Sequence, residues 1–287
     1  MPVQLTYPGV YVEEVPSGVR AITGVATSIT AFVGRAARGP VDEAVVITSF
    51  GDFQRRYGGL WKASALGFSV RDFYLNGGSI AVVVRLFQGD VTVNAAKIAR
   101  NTITIAAAEP GRWGDELRIR VDTDTRPFDA NLGETATSLF NLYVRDGSMG
   151  VIEEHRNVTT AIAGHPRYLL NVLRNESNLI RLTTPAAGVE ATRPDAHALA
   201  NTVPPGKTVW DQDTTSSPVT SGNRGGDGGA ITANEFTGGT RQADKKGLFA
   251  LEKADLFNLL VIPPLATGDV APAVSYTHLT LPTTPYV

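Results

Sequence analysis

The 287-residue sequence contains no cysteine. This absence excludes disulfide bonds, thiolate nucleophiles and Cys-ligated metal sites. An apolar run of the roughly eighteen residues needed to cross a bilayer is also missing, and no secretory signal pattern follows Met1. Acidic and basic residues nearly balance, at 28 Asp and Glu against 26 Lys and Arg, so no overall field attracts nucleic acid or an anionic membrane. The sequence predicts a soluble protein made inside the cell.

Motifs for catalysis or metal binding are weak. Gly206-Lys207-Thr208 is similar to the end of a phosphate-binding loop, but that pattern needs a Gly at position 201, which is Asn. On an alternating strand Glu153 and His155 would share a face that Glu154 opposes, so 153–155 is interpreted as a solvated strand face. The four histidines show no metal-ligand spacing. We therefore predict no catalytic residue, no metal site and no cofactor.

The first twenty residues predict a strand without a partner. Tyr7–Val15 is rich in Tyr and Val and is bounded by Pro and Gly, which is typical of a short extended strand. Val10 and Val12 would face one side, and Tyr11 and Glu13 the other. No Asn-Gly or Asp-Gly turn leads into a matching strand. Such a strand frays, joins a distant sheet edge, or adds to the sheet of another subunit.

Regular elements follow until about residue 87. A Ser before, and a Gly pair after, the apolar positions Phe50, Phe53 and Tyr57 predict a capped helix. The uninterrupted apolar run Ile80–Val84 predicts a strand that is covered on both faces. The remaining elements predicted in this part are strands at 30–34 and 44–47 and a helix at 64–75.

A different pattern begins after residue 90. Alternation of polar and apolar residues predicts an antiparallel sheet with one wet face, with strands at 101–107, 116–122, 138–145 and 179–183. A helix is predicted at 166–175, and the glycines around Trp113 predict a tight turn in which the indole covers the end of this sheet. Composition predicts a long surface loop at 185–240, loosest at 221–229.

Helical periodicity returns at 247–253, ahead of the apolar strand 256–262. A helix followed by a buried strand repeats the pattern that ends at Val84. The predicted fold is therefore an α/β (α+β) core domain, split by a β-rich, largely antiparallel insertion domain and preceded by an extended N-terminal arm. Ile80–Val84 and Leu259–Ile262 are expected to be nearly fully buried, parallel strands of one sheet.

Three ordered motifs carry a resemblance to a known family. YPGVYVEEVPSG, GVATSITAFVGRAARGP and ITSFGDFQRRYGG follow one another in the sequence, and they resemble the opening of contractile phage tail sheath proteins. The likeness covers about Tyr7 to Leu86 and resumes at Gly247–Pro264. It implies a structural subunit that polymerises around an inner tube and contracts to drive the tube through a cell envelope. It also implies that the arm lends a strand to a neighbouring subunit.

The resemblance implies partners and a location. The partners would be identical sheath subunits in a helical assembly of rings, the inner tail tube protein, the baseplate and the tail terminator, without specific nucleic acid or membrane insertion. The location would be the virion tail, assembled in the host bacterial cytoplasm. Subunit interaction would involve Tyr7, Val10, Tyr11, Val12, Glu13 and Val15. The basic pairs Arg55-Arg56 and Lys245-Lys246 are either solvated helix faces or contacts to acidic neighbours or the tube.

The predicted organisation has five parts. They are the arm (1–20), the first part of the core (21–90), the insertion (91–240), the return to the core (241–273) and a tail (274–287). The tail is similar to the translation of a transposase adaptor used for sequencing libraries, so we expect a non-native segment and a sheath sequence that is truncated near Ala273.

Two other functions are compatible with parts of the sequence. An α/β enzyme with a β insertion would need a deep pocket lined by titratable groups. A non-contractile adhesin or carbohydrate-binding β module would need a solvent-exposed row of aromatic side chains, for which Trp113, Phe140 and Tyr143 are the candidates.

Overall fold

A computed structural model describes residues 28–186 and 189–264. The predicted arm strand and the predicted adaptor-like tail lie outside these residues. The strands are β1 (Thr30–Gly34), β2 (Ala44–Ile47), β3 (Ala81–Arg85), β4 (Lys97–Arg100), β5 (Ile103–Ala107), β6 (Leu117–Asp122), β7 (Leu139–Asp146), β8 (Ile152–Thr159), β9 (Ile180–Thr184), β10 (Ser217–Pro218) and β11 (Leu259–Val261). The α-helices are α1 (Phe50–Tyr57), α2 (Leu66–Leu75), α3 (Leu169–Glu176) and α4 (Ala233–Thr237).

The core sheet has the strand order β11-β1-β3-β2. Strands β11 and β3 both pair in parallel with β1, which lies between them, and β2 is antiparallel to β3. The prediction that β3 and β11 share one sheet in the same direction is confirmed. The prediction of nearly full burial holds for β3 and is wrong for β11, where Leu259 is 54% exposed. The reason is position, because β11 is an edge strand and has a neighbour on one side only among the described residues.

The two helices predicted in this part form, and they cover one face of the core sheet. Ser49 caps α1 by accepting a hydrogen bond from the amide of Asp52, and Gly58 ends the helix in the left-handed conformation at φ 85°. The buried face of α1 presents Phe53 and Tyr57, and the Tyr57 hydroxyl donates to the carbonyl of Val83 on β3 at 3.2 Å. Packing against a buried β3 therefore fixes both the position and the rotation of α1.

Two segments that precede β11 in the chain cover the opposite face. Phe236 of α4, and Leu248 and Leu251 of a 3-10 helix at Gly247–Lys253, pack on the side of β3 that presents Val82 and Val84. The helix predicted at this position thus forms, as a 3-10 helix. Each large apolar side chain buried in this way contributes roughly 1.5–3 kcal/mol to folding. The chain leaves the core after β3 and returns to complete it.

The intervening residues form two antiparallel sheets. One has the order β10-β6-β7-β8 and the other β4-β5-β9. Their inner side chains share one apolar cluster with α3. The predicted antiparallel strands β5, β6, β7 and β9 are confirmed, but the prediction of a single sheet is wrong, because β5 and β9 pair in one sheet and β6 and β7 in the other. Strand β4 was not predicted, and the helix predicted from residue 166 begins at Leu169 because Tyr168 still has extended dihedral angles.

The segment after β9 is more ordered than a surface loop. It contains β10 and α4, and its His197 is buried. The prediction that 221–229 is the loosest part is wrong. Gly225 donates its amide to the Asp115 carboxylate at 2.7 Å, and Gly226 donates to the carbonyl of Asn94 at 2.9 Å. The glycines let this run lie directly against other backbone, so it is held by main-chain hydrogen bonds.

Candidate subunit-interaction surfaces

The six residues predicted to contact a neighbouring subunit lie in the arm, outside the described residues. The described residues include surfaces of the kind to which a strand adds. The two edges of the core sheet are the first. Val46 on β2 is 55% exposed and Leu259 on β11 is 54% exposed. Each edge has a free ladder side within the described residues, and strand addition uses that kind of edge.

Arg85 joins the core to the antiparallel part. Its side chain lies at the carboxyl end of β3 and is fully buried. The guanidinium donates to the carbonyls of Ala36 at 3.1 Å, Gly39 at 2.6 Å and Pro110 at 2.9 Å. Burial lowers the pKa of Arg85 to about 10, which leaves the group charged at neutral pH. The cation is thus satisfied by main-chain oxygens from both parts of the molecule.

A second connection crosses the same junction. Arg38, in the loop after β1, donates to the Asp146 carboxylate at 2.7 Å, and the guanidinium also lies 5.4 Å from the ring centroid of Trp113. Asp146 is buried at the end of β7, where its other oxygen accepts from the amide and hydroxyl of Ser148. Trp113 packs on the apolar cluster of the antiparallel sheets, as predicted. The two parts are therefore tied by a buried ion pair as well as by Arg85.

An open cleft lies beside this junction, between α1 and the turn that joins β7 to β8. We call it the arginine cleft. Its volume is about 490 Å³. Its apolar lining includes Trp113, Met149 and Val151, and its charged lining includes Arg55 and Arg56. The basic pair that the sequence analysis noted therefore faces a cleft. The full lining also contains Arg38, Gly39, Pro40, Asp52, Glu109, Glu153, Asn178, Leu179 and Arg181.

A neighbouring cleft of about 670 Å³ has a different character. Lys97, Thr104 and Thr183 line it, and it shares Glu109 and Arg181 with the arginine cleft. Burial raises the pKa of the Glu109 carboxyl above its usual range, although Arg85 and Arg181 oppose that shift.

Two hydroxyl side chains of the kind that catalytic motifs use, those of Ser177 and Thr208, are held in local hydrogen bonds. Ser177 donates its hydroxyl to Glu153 at 2.5 Å and accepts hydrogen bonds from the amides of Leu179 and Ile180. Its partner is a carboxylate and not a histidine, so a triad arrangement is not formed. Thr208, in the Gly-Lys-Thr motif, binds Asp211 within an exposed loop that no buried strand precedes.

His155 corrects one prediction. Glu153 and His155 do share a face of β8, but that face is not solvated, because α3 packs against it. His155 is 2% exposed. Its Nε2 lies 3.6 Å from Glu153, its Nδ1 lies 4.0 Å from Glu176 at the end of α3, and within the described residues neither nitrogen has a hydrogen-bond partner.

Other site classes find little support. Across 28–186 and 189–264, no group of three or more His, Asp or Glu side chains is placed to hold a metal ion. Among the helices of these residues, none is long and apolar enough to cross a membrane. Phe140 is fully buried, and Trp113 and Tyr143 are partly buried, so these three aromatic residues do not form the exposed row that a carbohydrate-binding face would need.

Comparison with known proteins identifies the fold. Scans against known protein families and against curated proteins find no match. Among solved structures, a sheath tail protein from Listeria innocua matches with a TM-score of 0.52 and 17% identity, over 89% of this chain and 44% of that one. A sheath tail protein from Desulfitobacterium hafniense matches with a TM-score of 0.47 and 14% identity, over 94% of this chain and 48% of that one. This chain therefore spans less than half the length of both proteins. At these identities the Listeria innocua match shows the fold alone, and that fold is sheath-like.

Proposed function

We propose that this chain is a structural subunit of a contractile tail sheath, which polymerises around an inner tube and contracts to drive the tube through a cell envelope. The observation that carries the proposal is the fold shared with the Listeria innocua sheath tail protein over 89% of this chain. The three motifs between Tyr7 and Gly59, which resemble the opening of sheath proteins, support it independently. The role is mechanical and not enzymatic.

The proposed domain organisation is the one that the sequence analysis predicts. Residues 1–20 form the arm, 21–90 and 241–273 contribute to the core domain, and 91–240 form the insertion domain. The partners are further copies of the subunit, the tube protein, the baseplate and the tail terminator. The particle is assembled in the bacterial cytoplasm and becomes the tail of a virion, where contraction serves delivery of DNA or effectors.

The proposed mechanism needs neither a nucleotide nor a metal. Subunits assemble in a metastable extended state, and each stores a few kcal/mol of difference between two packings. The buried Arg85 hydrogen bonds and the Arg38–Asp146 pair support motion of the subunit as one body. Strand exchange through the arms keeps neighbours attached, because a main-chain ladder survives rotation of the bodies that it joins.

Replacement of Val12 by Pro tests the arm. Proline removes one ladder donor and fixes φ at a value that does not suit a central strand. In particles produced with Val12→Pro, we expect loss of sheath assembly by electron microscopy, with an unchanged melting temperature of the monomer. Val12→Thr is the matched control, since it keeps the amide and a β-branched side chain. Normal assembly with Pro at position 12 would leave the arm without a mechanical role.

A further inference from the structure

The cleft of about 670 Å³ lies where the core meets the antiparallel part of the chain. We call it the junction cleft. Residues 40–43 of the core line one side, and residues of β4, β5 and β9 line the other. The volume is in the range of pockets that bind small ligands, and such pockets occur preferentially between two parts of a molecule. Its size and position are therefore those of a ligand site.

Two cationic side chains stand in one row on the sheet wall of this cleft. Lys97 of β4 is directly opposite Ala106 of β5, and Ala106 is directly opposite Arg181 of β9. Residues that oppose each other in neighbouring strands share a face of the sheet, and all three of these line the cleft. Adjacent strands lie about 5 Å apart, so the backbones of Lys97 and Arg181 are about 10 Å apart. The small side chain of Ala106 leaves the space between the two cations open.

Both cations have hydrogen-bond donors available for an anion. Across residues 28–186 and 189–264, neither Lys97 nor Arg181 forms an ion pair with a carboxylate. Nη1 of Arg181 donates to the carbonyls of Ser177 and Ile180, both at 2.8 Å, which fixes the guanidinium. Within the same residues its Nε and Nη2 have no acceptor. These two atoms form one edge of the guanidinium, which is the edge that binds an oxyanion with two parallel hydrogen bonds.

The carboxylates of the junction cleft do not cancel these charges. Asp42 is already in an ion pair with an arginine, at 3.0 Å. Glu109 is half-buried, and burial raises its pKa, so its charged form is disfavoured. Lys246 adds a third cation to the lining that contains Glu43, and the carboxylate of Asp244 is 4.0 Å from its Nζ. The cleft therefore favours a negatively charged ligand.

We propose that the junction cleft binds a small ligand through an oxyanion, either a phosphate or a carboxylate group, which lies over Ala106 between Lys97 and the open edge of the Arg181 guanidinium. The sheath role does not require such a site, so this inference goes beyond the proposed function and can fail without it. The two sides of the cleft come from the core and from the antiparallel part. A ligand that binds both sides therefore stabilises the arrangement of these two parts.

An NMR titration tests the site. The isotope-labelled full chain is titrated near neutral pH with sodium phosphate and, separately, with sodium succinate, and chloride keeps the ionic strength constant. We expect saturable shifts of the amide signals of Lys97, Ala106 and Arg181. Saturation by phosphate alone assigns a phosphate-bearing ligand, saturation by succinate alone assigns a carboxylate ligand, and saturation by both supports the shared oxyanion chemistry. Shifts that saturate with neither anion, or that are no larger here than elsewhere on the surface, would overturn the proposal.

Removal of either cation tests the chemistry. Lys97→Met and Arg181→Met keep an apolar stem and remove the charge, and each should weaken anion binding about tenfold, because a charge-assisted hydrogen bond is lost. The matched controls are Lys253→Met and Arg174→Met, which remove the same charges from exposed positions outside the cleft. Equal weakening in the control variants would mean that the anion responds only to the overall charge, and the site assignment would be wrong.

Glu109→Gln tests the same site through a gain of affinity. Its carboxylate acts on Arg181 across the cleft, and glutamine keeps the shape while removing the opposing charge. We expect anion binding to become about threefold tighter. This variant leaves the Arg181 hydrogen bonds to Ser177 and Ile180 in place, so it remains informative if Arg181→Met does not fold. Weaker or unchanged anion binding in Glu109→Gln would show that the bound group does not lie beside Arg181, and would overturn the proposal.

Discussion

Arg38 and Asp146 form a 2.7 Å ion pair across the junction between the core and the antiparallel part, although 108 residues separate them in the chain. The carboxylate is fully buried and the guanidinium is 12% exposed. A buried charge is tolerated only with a partner, since desolvation costs several kcal/mol for each ion. Each residue of the pair therefore requires the other, because removing one alone leaves the remaining group without its partner and causes a large loss of stability.

Arg38→Met tests this requirement. Methionine keeps much of the apolar stem but leaves Asp146 buried without its cation, so we expect unfolding to become easier by roughly 3 kcal/mol. Denaturant unfolding followed by tryptophan fluorescence measures the change. The control is Arg71→Met, because Arg71 also has a carboxylate partner, Asp72, and an aromatic ring, Phe68, but in an exposed setting. Its expected loss is below about 1 kcal/mol.

Equal losses of unfolding free energy in the two variants would show that the buried Asp146 pair contributes no more to stability than the exposed Asp72 pair. A loss in Arg38→Met accompanied by two separate transitions would show that the junction, and not either part alone, makes the subunit unfold as one unit.

Short-range patterns in the sequence predict much of the core. The Ser cap and the Gly pair predict α1, and the apolar run 80–84 predicts the strand at the centre of the sheet, because both depend on residues that are close in the chain. Alternation likewise predicts β5 to β7. The partners of Arg85 could not be predicted in this way. Its acceptors are carbonyls of Ala36, Gly39 and Pro110. Because every residue type has a main-chain carbonyl, the sequence does not indicate which carbonyls accept these hydrogen bonds.

The glycine-rich run 221–229 is a second feature that short-range patterns did not predict. Its composition predicts a flexible linker, because glycine is common where the chain is unrestrained. In the structure several of these glycines are needed for close approach. A Cβ on Gly225 would collide with the carbonyl oxygen of Gly111, and one on Gly228 would collide with that of Gln88. Composition alone does not distinguish a glycine in a flexible segment from a glycine at a position that has no room for a Cβ.

Gly225→Ala tests the close approach. The added methyl group would push the glycine-rich run 221–229 away from Gly111 and weaken the hydrogen bond from the Gly225 amide to Asp115. We expect a loss of about 1–3 kcal/mol in the free energy of unfolding, as for other overpacked sites. Gly222→Ala is the matched control, since nothing lies within 4 Å of a Cβ there. Similar stability of the two variants would contradict the close-packing interpretation.

His197 holds the segment between β9 and β10 against β6. Its Nδ1 accepts the amide of Val121 at 2.9 Å, and its Nε2 lies 2.9 Å from the hydroxyl of Ser217. Because Nδ1 accepts, the ring is neutral and carries its proton on Nε2. Burial, reinforced by the charge of Arg100, lowers the pKa of His197 to about 4. Both the hydrogen bonds and the surroundings therefore favour the uncharged ring.

This shift predicts a loss of stability in mild acid. The unfolded chain protonates His197 near pH 6.5, whereas the folded chain resists protonation until about pH 4. Stability from this group is thus complete above pH 6.5, falls as the pH drops toward 4, and changes no further below that. His197→Gln can keep one acceptor and one donor but does not titrate. Urea unfolding of both proteins between pH 7 and pH 4 measures the difference.

Carboxylates also titrate in this range, so the informative quantity is the wild-type free energy of unfolding minus that of His197→Gln at each pH. The carboxylate contributions are common to both proteins and cancel in the difference. We expect the difference to be constant from pH 7 to about 6.5 and then to shift steadily against the wild type as the pH falls. Parallel profiles over the whole range would mean that the buried ring accepts a proton as readily as the unfolded chain does, and that its contacts with Val121 and Ser217 do not depend on its charge.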